Sequence, residues 1–273
     1  MKRLLNQQPS IIGRVLLGSL PFIILLLIYV IASDLRLEAN PNDKLLPSFA
    51  QMSEAMQRMA FEPNRRTGEY IFWADTFSSL QRLLLGVLIA ASLGLLIGLF
   101  TGALPLIGAS FSPVLTVISL IPPLALLPIL FIVFGLGELA KVALIAIGIT
   151  PFIARDMQRR TLEIPQEQII KAQTLGANTS QVLIRVLLPQ LTPRLLDAVR
   201  LSLGTGWLFL IAAEAIASTE GLGYRIFLVR RYMSMDVILP YVAWVTFLAF
   251  LLDWLLVKVN RKLFPWHAKG GGA

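Results

Sequence analysis

The chain has 273 residues, of which 56% are hydrophobic and only 15% charged, with a formal net charge of +8. A soluble domain carries about 25% charged residues, so this composition excludes a water-covered globule and predicts an all-α polytopic membrane protein. The lack of cysteine excludes disulfides, thiolate zinc sites and cysteine nucleophiles, and one histidine, His267 in a polar tail, makes no metal cluster. The basic residues lie between apolar runs, so membrane topology rather than nucleic acid accounts for the charge.

A membrane span needs roughly 20 mostly apolar residues. Six runs are read: 15–32, 83–103, 113–134, 140–153, 201–217 and 237–257. The first follows Lys2, Arg3 and Arg14; it is long for a signal-peptide core and no small-x-small cleavage site follows, so it is read as an anchor. In the loop beyond it, Ser48 suits a helix N-cap, and Phe49, Met52, Met56 and Ala60 follow at spacings of three and four. That stripe packs on the outer rim of the bundle or lies in the headgroup plane; a docking surface for an outer partner is the alternative.

Along the second run, Gly86, Ala90, Gly94, Gly98 and Gly102 recur every four residues. Small residues at this spacing leave one smooth face for a close helix contact, within the chain or between chains. The third run holds Pro122, Pro123 and Pro128, each of which removes a backbone donor and bends the helix. Freed carbonyls in lipid need protein or a wet cavity, so this run either lines the translocation path or is kinked for structural reasons. Glu138 and Lys141, three apart at a helix start, fit a local pair.

The segment 157–200 is too polar to span and too apolar to be a floppy loop. Pro165 suits a first helical turn, and Ile169, Ile170 and Ala172 lead to Gly176, placed for a left-handed C-terminal cap. Asn178 with Gln181 reads as a capping box that starts a second helix. Val182, Leu183, Val186 and Leu187 form its apolar face, and Pro189 is expected to end it. Two short helices joined at a glycine elbow make a stiff lever under the membrane.

In the fifth run, Ser202 and Thr205 are candidate pathway hydroxyls. Glu214, in the outer half, is an intramembrane acid and so a candidate functional residue. Its expected partner is Arg225, Arg230 or Arg231, and it serves as a structural ion pair or as a gate. Asp253 and Lys258 read as anchors at the inner end of the sixth run. Six spans put both termini on one side. That side holds 14 of the 24 basic residues, including Arg155, Arg159, Arg160, Lys171, Arg185, Arg194 and Arg200, which predicts cytoplasmic termini. The resulting division is a tail at 1–14, the first span and outer loop at 15–75, a core at 76–262 with a coupling segment at 158–190, and a tail at 263–273.

The cytoplasmic segment resembles the signature of ABC importer permeases, E-A-A-x3-G-x9-I-x-L-P. Ala172, Gly176, Val186, Leu188 and Pro189 match it in spacing; Ile170 and Lys171 stand where the family has Glu and Ala. The wider chain is similar to the nitrate/sulfonate/taurine/bicarbonate branch. The matching stretches are Leu46-Pro47-Ser48, Ser79-Leu80-Gln81-Arg82, Pro122-Pro123-Leu124-Ala125, Phe134-Gly135-Leu136-Gly137-Glu138, and Ala212-Ala213-Glu214 with Gly221-Leu222-Gly223.

The resemblance implies a type I importer bundle in a bacterial inner membrane, with a coupling helix around Ala172, Gly176, Ala177 and Asn178. It also implies two ATPase subunits, a second permease chain (a homodimer) and an outer solute-binding protein. The chain has no G-x-x-x-x-G-K-[ST] phosphate loop, so ATP and Mg are expected on the partner ATPase, and no cofactor on this chain. An ion-driven secondary transporter is the rival. It would tend to show inverted repeats and buried relays, and the sequence shows no repeat and few intramembrane charges.

Overall fold

The structure is a computed structural model that describes residues 10–41, 43–64 and 68–266. Lys2, Arg3, Arg65, Arg66, His267, Lys269 and the stretch 270–273 lie outside the described residues. All regular structure among the described residues is helical. Four helices, or five if a bent pair is taken as one span, are long and apolar enough to cross a membrane.

The first is α1, Ile11–Ala39, capped by Ser10, whose side chain accepts from the Gly13 amide. No residue of its most apolar stretch is buried. It is tied to the loop that follows near its C-terminal end, where the Tyr29 hydroxyl donates to the Pro47 carbonyl (2.6 Å) and Ser33 to that of Leu46 (2.9 Å). Helix α2, Phe49–Phe61, begins at the expected Ser48 cap, which with Gln51 forms a full capping box. Its Met56, Met59 and Ala60 pack on the main core, which favours the rim reading over a free docking face.

The centre of the fold is a seam between α3, Ile71–Ala103, and α6, Glu138–Leu162. A methyl group added at Gly86 would lie 2.7 Å from Ile145 Cβ; at Gly94, 2.6 Å from Ile153 Cγ2; at Gly98, 2.4 Å from Met157 Cβ; at Gly102, 2.6 Å from Thr161 Cβ. The partner number rises in step with the glycine number, so the helices run parallel, in register, four residues at a time. The small-residue face is therefore an intrachain contact, with Ala90 fully buried in the same row. Close backbone approach replaces the hydrophobic drive that lipid cannot supply.

The third expected span is broken rather than kinked. Helix α4, Pro105–Ser119, gives way to a 3-10 turn at Pro123–Leu126 and then α5, Leu127–Phe134, with the two halves bent by 82°. Pro122 and Pro123 in succession remove two donors, and each disfavours α geometry in the residue before it. The fourth expected span, 140–153, is the middle of the 25-residue α6. Its charged ends keep it out of the purely apolar set, yet Leu144, Ile145, Ile149, Ile153 and Met157 are fully enclosed by protein.

Pro189 does not end the second of the two short helices. A continuous helix runs over Thr179–Ile216: one turn of α8, Thr179–Gln181, a π turn at Val182–Leu187, and α9, Leu188–Ile216. The Leu188 amide bonds to the Leu183 carbonyl, five residues back. This widening sits directly before the residue that cannot donate and makes room for the proline ring. Helix α10, Leu222–Arg230, and α11, Met235–Leu263, complete the bundle. Helix α9 crosses the seam where Gly148 faces the Phe209 ring and Gly206 faces Ile149 and Leu83.

Candidate functional site

The elbow at Gly176 forms as the residue order dictates. Helix α7, Gln166–Thr174, stops at Gly176, whose φ of +86° is the left-handed conformation expected there. The Ala177 amide donates to the Ala172 carbonyl (3.0 Å) and the Gly176 amide to that of Gln173 (2.9 Å). Together these are a Schellman cap, which satisfies carbonyls that the helix end would otherwise orphan. Two residues on, the Asn178 side chain accepts from the Gln181 amide, while Gln181 accepts from the Asn178 amide (both 2.9 Å). One helix is closed and the next opened within five residues.

The elbow is also mounted. Ile169, Ala172, Ala177, Leu183 and Leu188 pack on a second core of Leu99, Ile164, Val182, Leu187 and Leu191. Leu99 belongs to the C-terminal end of α3 and Leu191 to α9, so α7 is fixed to two spans. Val186 is part-buried on the same helix face, whereas Pro189 is exposed. The outward side shows Ile170 (57% exposed), Lys171 and Leu175 (83% exposed). Glu163, just before the elbow, takes Arg194 of α9 at 3.3 Å and Arg160 at 3.3 Å, which ties the end of α6 to α9.

At the opposite end of the bundle, Glu214 is fully buried, and its partner is Arg82 of α3 at 2.7 Å rather than Arg225, Arg230 or Arg231. Ser79 donates to its carboxylate at 2.8 and 3.0 Å, and the Gly223 amide does so at 2.8 Å. Arg82 also donates to Glu138 and to the Glu220 carbonyl (2.9 Å). Glu138 is further held by Lys141 at 2.8 Å, the expected local pair.

Arg225 instead pairs with Asp75 of α3 at 2.8 Å, and Asp75 also accepts from the Gly221 amide (2.9 Å) and the Tyr241 hydroxyl (3.2 Å). Burial alone lowers the Arg225 pKa, but its hydrogen bond to Asp75 and that charge outweigh burial and hold it above the usual arginine value. The chain bends through Gly221 at φ +123°, where a methyl group would meet the Glu214 carboxylate at 2.5 Å. The network pins the turn after α9 onto α3 and α6. Its α3 members Asp75, Ser79 and Arg82 are spaced four and three apart and lead, four residues on, into Gly86. That helical spacing of polar residues, continuous with the small-residue row, is a sequence signal for a buried polar face.

The remaining pathway candidates do not form one site. Ser202 and Thr205 of α9 line a cavity against α6. Pro123 lies beside Gly148 and the Phe209 ring, while Pro122 and Pro128 are exposed at the bend. Among the described residues no group of three or more His, Cys, Asp or Glu is placed to hold a metal.

Comparison with known proteins places this geometry. Residues 90–265 match the family described as binding-protein-dependent transport system inner membrane component. The chain is 36% identical over 197 residues to the taurine transport system permease protein TauC of Escherichia coli (strain K12), covering 72% of each. It is 31% identical over 210 residues to the putative aliphatic sulfonates transport permease protein SsuC of Bacillus subtilis (strain 168), covering 73% of this chain and 74% of that one. Among solved structures, the MetNI methionine ABC transporter in inward-facing conformations superposes with a TM-score of 0.63 at 21% identity, over 73% of this chain and 99% of the other. At that identity the likeness is one of fold.

Proposed function

The chain belongs to the family of binding-protein-dependent transport system inner membrane components, and on that premise we propose that its elbow at Gly176 is the point where a separate ATPase drives the permease. It is the membrane-spanning permease of an ATP-driven importer. In this reading two copies of the chain form the path, two ATPase subunits bind ATP and Mg in the cytoplasm, and a solute-binding protein delivers a small polar solute from outside. Both termini face the cytoplasm of a bacterial cell. The similarity to taurine and sulfonate permeases supports a small polar or anionic solute of that size class.

The observation that carries the reading is the elbow's division of labour. Ile169, Ala172 and Ala177 face inward onto spans α3 and α9, while Ile170, Lys171 and Leu175 face outward. A protein that grips the outer side moves the spans with it, because the inner side is packed and the cap is closed. Closure of the ATPase pair brings two elbows together, and the bundles rock outward; hydrolysis returns them. The drive is the ATPase's differential affinity for the two bundle states.

The test is co-purification with the ATPase, then ATP-dependent uptake in vesicles. Leu175→Glu, at a side chain 83% exposed, leaves the fold intact and uncouples uptake from ATP hydrolysis. Uptake at wild-type levels in that variant, or uptake that survives ATP depletion and collapses with the proton gradient, contradicts the assignment.

A further inference from the structure

Helix α11 has two unlike faces. Tyr241, Val245, Leu248 and Asn260 are buried, and Leu252 and Leu256 between them pack partly buried against the core. Successive members lie three or four residues apart, so they form one inward row. Asn260 fastens the end of the helix by donating to the Pro193 carbonyl (3.1 Å) and to Asp197 (3.0 Å). Pro193 belongs to the first turns of α9, so this is the end of the bundle that carries the elbow. On the opposite side Phe247, Phe250, Trp254, Lys258 and Arg261 are exposed, again three or four apart. The helix is long and apolar enough to cross a membrane, so this second row faces lipid. It changes from aromatic to basic where the span ends.

The basic end has a defined geometry. The Lys258 ammonium lies 4.8 Å from the centre of the Trp254 ring. The ring face attracts a cation and holds this side chain folded back along the helix, where a lone lysine at a span end would reach for water. Arg261 and Lys262 are exposed on the next turn, so three cations lie within about 6 Å along the helix axis. Among the described residues none of the three has a salt-bridge partner. Two carboxylates at this end are engaged on the packed side: Asp253 pairs with Arg200 of α9, and Asp197 accepts from Asn260. A zwitterionic headgroup needs an acid for its own ammonium, and the exposed row offers none. A headgroup of net negative charge meets only cations, and basic clusters at span ends attract such lipids.

We infer that the lipid-facing end of α11 is a binding site for an anionic phospholipid, with Lys258, Arg261 and Lys262 on the headgroup phosphate and Trp254, Phe250 and Phe247 along an acyl chain. The inference goes beyond the importer reading and does not depend on it.

The test reconstitutes the full chain in phosphatidylethanolamine vesicles that contain an equal fraction of either phosphatidylglycerol or phosphatidylcholine with brominated acyl chains, which quench tryptophan on contact. The Trp254 signal is the difference between each protein and its Trp254→Phe counterpart. In wild type, phosphatidylglycerol is expected to quench that signal with at least about threefold higher apparent affinity than phosphatidylcholine. Salt at about 1 M, where the screening length is about 3 Å, should narrow the gap. The double variant Lys258→Gln, Arg261→Gln abolishes the preference. The double variant Lys44→Gln, Arg58→Gln removes the same charge beside Ser234 and Asp236 at the other end of α11 and keeps the preference. Equal quenching by the two lipids in wild type, a preference that survives Lys258→Gln, Arg261→Gln, or one lost equally in Lys44→Gln, Arg58→Gln overturns the inference. If the first double variant fails to insert, the two-lipid comparison and its salt dependence in wild type decide alone.

Discussion

Replacing Glu214 by Gln tests the buried ion network around Arg82 with almost no change of shape. The carboxylate offers two acceptor oxygens to three partners: Oε1 takes Arg82 and Ser79, and Oε2 takes Ser79 and the Gly223 amide. An amide keeps only one acceptor. Its NH2 group must face either the Arg82 guanidinium or the Gly223 amide, and both are donors. Breaking a buried pair by changing one partner costs about 3–5 kcal/mol. Arg82 is still held by Glu138 and the Glu220 carbonyl, so a somewhat smaller cost, about 2–4 kcal/mol, is expected.

At about 2–4 °C per kcal/mol for a chain of this size, Glu214→Gln should lower the melting midpoint of the purified complex by roughly 5–15 °C. Glu220→Gln, at a half-exposed side chain 3.5 Å from Arg82, should move it by little, since solvent screens such a pair to about 0–1 kcal/mol. A Glu214→Gln protein that melts with wild type would refute the claim that this network clamps the turn after α9.

Three further outcomes follow from the geometry. Gly98→Ala puts a methyl group 2.4 Å from Met157 Cβ and 2.6 Å from the Ala154 carbonyl, so it should destabilise by about 1–3 kcal/mol; Gly204→Ala, with nothing within 4 Å, should not, and equal melting of the two would deny the α3–α6 seam. At the elbow, Gly176→Ala meets no neighbour but forces an L side chain into the left-handed region at a cost of about 1–2 kcal/mol. Uptake per ATP hydrolysed should then fall in the order Gly, Asn, Ala, because Asn tolerates that backbone. Arg200→Gln breaks a pair with Asp253 that is more than a third exposed on both sides, so a double-mutant cycle should return less than about 1 kcal/mol.

Features carried by local chemistry were legible in the sequence. The Ser48 and Asn178 caps, the left-handed Gly176 and the close-packing row from Gly86 to Gly102 each follow from residue type and spacing alone, and each is found. Features decided by tertiary partners were not. Basic residues near Glu214 in sequence made Arg225, Arg230 and Arg231 obvious partners, but the packing of α3 against α9 delivers Arg82 to it from 132 residues away. A proline also has two outcomes that sequence does not separate. Pro122 and Pro123 break a span by 82°, whereas Pro189 is absorbed by a π turn in a helix that runs on. The difference lies in what surrounds each: Val182 and Leu187 are buried and hold the helix together, while the Pro122 turn is exposed.

The most direct test of a cytoplasmic elbow driven by a separate engine uses the chain's lack of cysteine. A single Leu175→Cys, at a side chain 83% exposed, is treated with a membrane-impermeant maleimide in inverted and in right-side-out vesicles, with and without bound ATPase. The expected result is labelling in inverted vesicles only, blocked when the ATPase is present. Labelling from the outer face, or labelling that bound ATPase leaves unchanged, would contradict it.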